Sequence, residues 1–334
     1  MATKKRLKEN RDRKPRIVCI GGGTGLSVIL RGLKKLPIEI TAIVTVADDG
    51  GSSGRLRNDL QMPPPGDIRN VLIALADTEP LLERVLQYRF TSGEGLAGHT
   101  LGNLMIAAMK EITGDFTHAV QEMSRVLAVR GRVLPASEQD VVLMAEMTDG
   151  SIIKGESQIP QTGKRIKRVF LNPPEPRPLE EAIRAIQEAD AIVIGPGSLY
   201  TSILPNLLVK GMSETIYAAN ACRIFVCNVM TQPGETDHFT ASDHIKAIYD
   251  HVEKPLFDVA IINNEVPPPT IQEKYAEKGQ KMVLPDIDRI QEMGCRVIAD
   301  NLLLYRSVVR HDAERISSHI ERLIDERMQK RHSG

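Results

Sequence analysis

Apolar and polar positions fall along this chain in blocks that predict strands alternating with helices. Arg16-Ile17-Val18-Cys19-Ile20 is a short, continuous apolar run, the pattern of a strand covered on both faces. Beyond it Val28, Ile29, Leu33 and Leu36 recur at helical spacing, Pro37 ends the helix, and residues 38–46 predict a second strand. Such a βαβ unit takes a right-handed crossover. After Asp48 helical spacing returns around 67–77, 79–89, 100–112 and 115–127. Residues 141–147, the dipeptide Asp149-Gly150 and residues 151–154 predict a β-hairpin, because Asp-Gly accommodates the positive φ of a tight turn. Strands return at 191–194, 223–226 and 259–262, and an amphipathic helix over 311–328 closes the pattern. The expected fold is α/β: a Rossmann-like, doubly wound, mainly parallel sheet with a small antiparallel β insertion at about 130–171. A single domain over 16–330 is expected, preceded by a basic tail at 1–15.

Composition narrows the function classes. The 334 residues are 42% hydrophobic and 26% charged with a formal net charge of zero, which suits a packed core. Balanced charge and an aromatic content of 4% without Trp argue against a nucleic-acid binder, which needs a basic footprint or stacking platforms. No apolar run approaches the roughly 20 residues of a membrane span. The four cysteines, Cys19, Cys222, Cys227 and Cys295, form no C-x-x-C pair, so buried structural thiols in a reducing cytoplasm are expected. The first 16 residues carry eight Lys and Arg with no apolar segment after them, the reading of a frayed, solubilising tail rather than a signal peptide.

Candidate chemistry sits where predicted strands end. Gly21-Gly22-Gly23-Thr24-Gly25 follows the first strand, where glycines let the backbone approach an anion and a helix aims its N–H groups at it. A tight turn needing glycine for geometry alone is the competing explanation. The motif lacks the Lys of a Walker loop, and Leu26 occupies the third glycine position of a dinucleotide fingerprint, which weakens an NAD-dependent oxidoreductase reading. After the second strand comes Asp48-Asp49-Gly50-Gly51-Ser52-Ser53-Gly54-Arg55. Its carboxylates suit a ribose hydroxyl, Mg²⁺ or base catalysis, and its hydroxyls, N–H groups and Arg55 suit phosphate. Asp67 reads as a helix cap, with Arg69 and Asn70 able to face a ligand. Gly195-Pro196-Gly197-Ser198, with Thr201 and Ser202, repeats the strand–glycine–helix arrangement. His99, Asn103, Asn228 and Thr231 lie in polar stretches able to line a pocket, although a lone histidine is more often structural.

Taken in order, these blocks, with Pro63-Pro64-Pro65-Gly66-Asp67-Ile68-Arg69-Asn70, Gly98-His99-Thr100-Leu101-Gly102-Asn103 and Asn228-Val229-Met230-Thr231-Gln232-Pro233-Gly234-Glu235-Thr236, resemble the gluconeogenesis-factor (YvcK-like) branch of the CofD-like superfamily over about residues 16–245. The resemblance implies a CofD-like fold in a bacterial cytoplasm. It also implies binding of a nucleotide sugar of the UDP-N-acetylglucosamine class, and a regulatory role in gluconeogenic growth, cell-wall synthesis and cell-shape maintenance. The enzymes of the superfamily transfer a 2-phospholactyl group from a guanosine-linked donor with Mg²⁺. They carry a Lys where this chain has Val28, and their second loop reads Gly-Pro-Ser-Asn-Pro where this chain has Gly195-Pro196-Gly197-Ser198-Leu199. Loss of a cation beside a phosphoryl group removes a stabiliser of transfer.

The expected site therefore comprises Gly22, Gly23, Thr24, Gly25, Asp48, Asp49, Ser52, Ser53, Arg55, Asn70, Gly197, Ser198, Thr201 and Ser202, with His99, Asn103, Asn228 and Thr231 as weaker members. The segment 50–66 is the expected mobile switch. A regulatory or cell-wall-synthesis protein is the expected partner, and a homo-oligomer is left open. The alternative is a Mg²⁺-dependent transferase with Asp48 and Asp49 as its catalytic groups.

Overall fold

A computed structural model describes residues 13–305 and 309–333; most of the predicted basic tail lies outside the described residues. Seven strands form one parallel sheet: β1 (Arg16–Gly21), β2 (Glu39–Val44), β3 (Arg132–Pro135), β7 (Ala191–Ile194), β8 (Cys222–Val226), β9 (Val259–Asn263) and β10 (Arg296–Asp300). Their order across the sheet is β10-β9-β8-β7-β1-β2-β3. Strands β4 (Val142–Met147), β5 (Ile152–Lys154) and β6 (Ile166–Asn172) make a separate antiparallel sheet, and β11 (Leu303–Tyr305) pairs with β12 (Val309–His311). The helices are α1 (Gly23–Leu33), α2 (Gly51–Leu60), α3 (Gly66–Leu75), α4 (Pro80–Gln87), α5 (Leu101–Thr113), α6 (Phe116–Val126), α7 (Glu180–Gln187), α8 (Leu204–Leu207), α9 (Met212–Ala218), α10 (Ala241–Val252), α11 (Pro269–Ala276), α12 (Ile287–Glu292) and α13 (Ala313–Ser333). Among the described residues no helix is long and apolar enough to cross a membrane.

The buried strands are apolar throughout because both faces of the sheet are covered. In β1, Ile17 and Cys19 pack into one core while Val18 and Ile20 pack into the other, the alternation a pleated strand imposes. The first core holds the stripe Leu26, Ile29, Leu30 and Leu33 of α1 and, from α13, Ile316, Ile320 and Leu323. The second holds Ala182 and Ile186 of α7, Ile245 and Ile248 of α10, and Leu143, Met147 and Val169 from the antiparallel sheet. All four cysteines are free and buried, and burial pushes the Cys19 and Cys295 thiols up to about 12, so they stay protonated.

From β1 the chain winds outward through β2 to β3, then returns to lay β7 along the other edge of β1. The carboxyl ends of β1 and β7 therefore diverge at a topological switch point, where open α/β sheets bind ligands.

The segment 50–66, the expected switch, contains helix α2 at 51–60, with Ser52, Ser53, Leu56 and Arg57 buried and Arg57 bridged to Asp140. One boundary is corrected. Residues 132–135, assigned by sequence to the insertion, form β3 and pair with β2 in the main sheet. The separate antiparallel sheet runs from Val142 to Asn172.

Candidate functional site

Two loops meet at the switch point. The first opens α1 at Gly22–Gly25; the second runs from Gly195 into a single π-helical turn, Leu199–Ile203, that continues as α8. Their approach is closest at Gly25, where a Cβ would lie 2.6 Å from the Pro196 carbonyl oxygen. Asn206, fully buried, donates from Nδ2 to Gly21 O at 3.1 Å and to Ser202 O at 2.7 Å, tying the two strand ends together. Asn228 clamps Gly197 from both sides, accepting its N–H at 3.0 Å and donating to its carbonyl at 2.7 Å. Ser198 donates to Glu235 and accepts from Thr201 Oγ1 at 2.6 Å.

The loops enclose a cavity of about 560 Å³. Of the expected residues, Gly22, Gly23, Thr24, Gly25, Gly197, Ser198, Thr201, Ser202 and Asn228 line it together. Sequence reasoning missed the opposite wall: Tyr275, Lys278, Gln280, Arg310 and His311 come from beyond residue 265, and Glu156 comes from the connection between β5 and β6. His311 donates from Nε2 to Cys227 O at 3.0 Å, since a carbonyl can only accept. With Val28 on the same lining, Lys278 and Arg310 bring positive charge to a cradle whose helix carries its own cation, Arg31, only in its last turn.

Carboxylates gather on the other side. Asp67 accepts the Gly23 N–H and stands beside Asp48; burial, then the Asp48 charge, lifts it to about 7, against the Gly23 hydrogen bond and Arg69. Glu156 is pushed well above the ordinary range by burial first and by Asp67, Asp48, Glu235 and Asp49 next. Burial also raises Glu235, opposed by its bonds to Ser198, Tyr200 and Thr201. Asp48 accepts the Gly50 N–H at 2.9 Å, and Asp49 accepts the Ser157 N–H at 2.8 Å, anchoring the antiparallel sheet to the end of β2. Among the described residues no group of three or more His, Cys, Asp and Glu is arranged to hold a metal ion. The neighbouring pair Asp48 and Asp67 does fit the pattern of Mg²⁺, which takes one or two carboxylates and completes its sphere with phosphates and water.

The remaining expected residues lie outside the cavity lining. Arg55 is exposed and donates to Ala97 O at 2.7 Å, Ser53 packs against Gly66, and Thr231 bonds the Lys281 backbone at 2.9 Å. Ser52, His99, Asn103 and Asn70 form a polar network behind α3. Ser52 Oγ meets His99 Nδ1 and Asn103 Nδ2, each at 3.0 Å, while Arg69 donates to Asn103 Oδ1 and Asn70 Oδ1, each at 2.8 Å. Ser52 accepts from Asn103 and so donates to His99, whose proton therefore sits on Nε2. Burial, then the Arg55 charge, lowers its pKa. Asn103→Ala removes two bonds of this network and strips a buried guanidinium of an acceptor, with an expected loss of about 2–3 kcal/mol in urea denaturation. A loss below about 0.5 kcal/mol would show the network to be dispensable.

Comparison with known proteins places this geometry. The family described as 2-phospho-L-lactate transferase CofD matches residues 17–303. The gluconeogenesis factor of Bacillus subtilis (strain 168) is 57% identical over 314 residues, which cover 94% of this chain and 99% of the relative. The chain belongs to the CofD-like gluconeogenesis-factor family. The gluconeogenesis factor of Halalkalibacterium halodurans is 54% identical over 309 residues, covering 92% of this chain and 96% of the relative. A crystal structure of a UPF0052 family member from Bacillus halodurans superposes with a TM-score of 0.90 at 54% identity, covering 92% of this chain and 99% of that one. Family membership extends past residue 245, into the segment that supplies Tyr275 and Lys278.

Proposed function

We propose that this chain is a nucleotide-sugar-binding regulatory factor of gluconeogenic growth. One observation carries the reading: a backbone N–H cradle at the switch point faces Lys278 and Arg310 across one cavity, while hydrogen-bonding acceptors and carboxylates line the rest. A diphosphate takes the N–H groups of the first turn of α1 that follow Gly23, whose own N–H Asp67 holds, and the two cations. The acceptor wall takes hydroxyls. The cations that face the phosphates replace, from a different part of the chain, the Lys that transferases carry at the position of Val28. The relatives' name, gluconeogenesis factor, supports the physiological setting. Roles in cell-wall synthesis and cell shape, in the cytoplasm and through a protein partner, follow from the same reading. Ligand binding acts on a partner only if it favours one conformation over another.

The test is calorimetric titration of UDP-N-acetylglucosamine, GDP and NAD, with and without Mg²⁺. The expected result is selective binding of the uridine sugar without metal. Arg310→Ala is expected to weaken that binding about 10- to 100-fold, the range for losing one charge-assisted phosphate contact. Equal affinity in wild type and Arg310→Ala would remove the cation from the phosphate site.

The pairing of Asp48 with Asp67 favours a second reading, a Mg²⁺-dependent transferase of a phospholactyl-type group. Mg²⁺ held there would neutralise charge on a phosphoryl group. Divalent-metal-dependent turnover that disappears in Asp48→Asn and Asp49→Asn would put this reading first.

A further inference from the structure

We propose that the antiparallel sheet reads the sugar end of the ligand through Glu156, with Gln232 beside it, both hydrogen-bonding to sugar hydroxyl or amide groups; this rests on the nucleotide-sugar reading above. Glu156 Oε2 and Gln232 Oε1 are buried, and neither has a hydrogen-bond partner among the described residues. Both residues line the cavity that holds the glycine cradle. Native proteins leave few buried polar atoms unpaired, and two on one cavity call for a group that pairs with them.

The surroundings select the chemistry of that group. Glu235 shares the cavity lining with Glu156, and Asp49 holds the next residue, Ser157, so this end is acidic and suits a neutral group better than a phosphate. An apolar group would leave both acceptors unpaired. A hydroxyl, which both donates and accepts, pairs with a protonated Glu156 and with the Gln232 oxygen, and a sugar carries several.

Both residues are also mechanically joined to the antiparallel sheet. Ser157, next to Glu156, is held by Asp49 at 2.8 Å, and Gly155 N donates to Leu143 O of β4 at 2.8 Å. The loop that carries Gln232 passes so near the insertion that a Cβ on Gly234 would lie 2.2 Å from Pro160 O. Glu156 and Gln232 therefore stand on two loops that meet at Gly234 and Pro160, and a sugar seated between them would bear on the loop that leads into the antiparallel sheet. A partner that touches this sheet would distinguish nucleotide sugar from nucleotide.

The experiment titrates UDP-N-acetylglucosamine and UDP into the full chain as wild type, Glu156→Ala, Glu156→Gln and Gln232→Ala. Wild type is expected to prefer the sugar nucleotide. Glu156→Ala and Gln232→Ala are each expected to cut that preference at least tenfold while leaving the UDP affinity within twofold. Glu156→Gln keeps a donor and an acceptor in the same shape and is expected to retain most of the preference. Should Glu156→Ala fail to fold, Gln232→Ala carries the test. An unchanged preference, or an equal loss for both ligands, overturns the proposal. So does an intact preference with altered Mg²⁺ dependence, which would make Glu156 a cation ligand. A wild type that binds neither compound overturns the nucleotide-sugar reading itself and this proposal with it.

Discussion

Gly25→Ala is expected to abolish nucleotide-sugar binding and to lower the melting temperature by several degrees. The added Cβ would stand 2.6 Å from Pro196 O and 2.9 Å from its carbonyl carbon, both backbone atoms that no rotamer change moves aside. Relief requires the two loops to part by close to an ångström, which spoils a cradle built on N–H groups at hydrogen-bond distance and costs about 1–3 kcal/mol of overpacking. Gly197→Ala is the matched comparison. Its Cβ would meet Gly22 O at 3.5 Å and Ser202 Cβ at 3.6 Å, ordinary contacts, so its melting temperature is expected to stay within about 2 °C of wild type. Thermal melts and titrations of both variants check this. Two variants that behave alike would mean that loop separation is not what the first glycine controls.

Asp67→Asn is expected to stabilise the protein at pH 8 by about 2–4 kcal/mol in metal-free buffer and to flatten its pH dependence. The folded carboxyl titrates at about 7, well above its ordinary 3.8. Between those values the folded state holds the proton more tightly than the unfolded chain. This contribution is fully present below pH 4 and lost as the pH rises toward 7, at about 1.4 kcal/mol per unit. Asparagine keeps an oxygen to accept the Gly23 N–H and carries no charge to bury. Urea denaturation at pH 5 and pH 8 measures the effect. Parallel curves for wild type and variant would show Asp67 to be ionised at its ordinary value in the fold.

The sheet was legible because strands covered on both faces are apolar without interruption, and β1, β7, β8 and β9 all announce themselves this way. Helix α2 was not. Its sequence GSSGRLRNDL has poor intrinsic helix propensity, and the helix persists because Ser52, Ser53, Leu56 and Arg57 are buried by tertiary packing. Strand β3 has four residues, and its place beside β2 depends on a pairing across about ninety residues of chain that no local pattern encodes.

The site divides along the same line. Gly22–Gly25 and Gly195–Ser202 were legible because close backbone approach writes glycine into a short stretch of sequence. Lys278, Arg310 and Glu156 reach the cavity from separate segments, each an ordinary polar residue in its own neighbourhood. Ser52, His99 and Asn103 were read as ligand-facing because polar residues after a strand look alike whether they meet a ligand or one another. Here they satisfy one another behind α3.

The bond between Asn206 and Gly21 spans 185 positions of chain. A ribosome that has made the first strand and its glycine turn must complete β7 and α8 before either loop has its counterpart, and such long-range closure is slow. A nascent or truncated chain thus carries half a cradle and gains no help from ligand. With the nucleotide sugar proposed above as ligand, only the completed molecule would be stabilised by binding, in proportion to the logarithm of ligand concentration over Kd. Cells poor in the ligand would hold less of the folded protein as well as less of its occupied form, so abundance and occupancy would rise together.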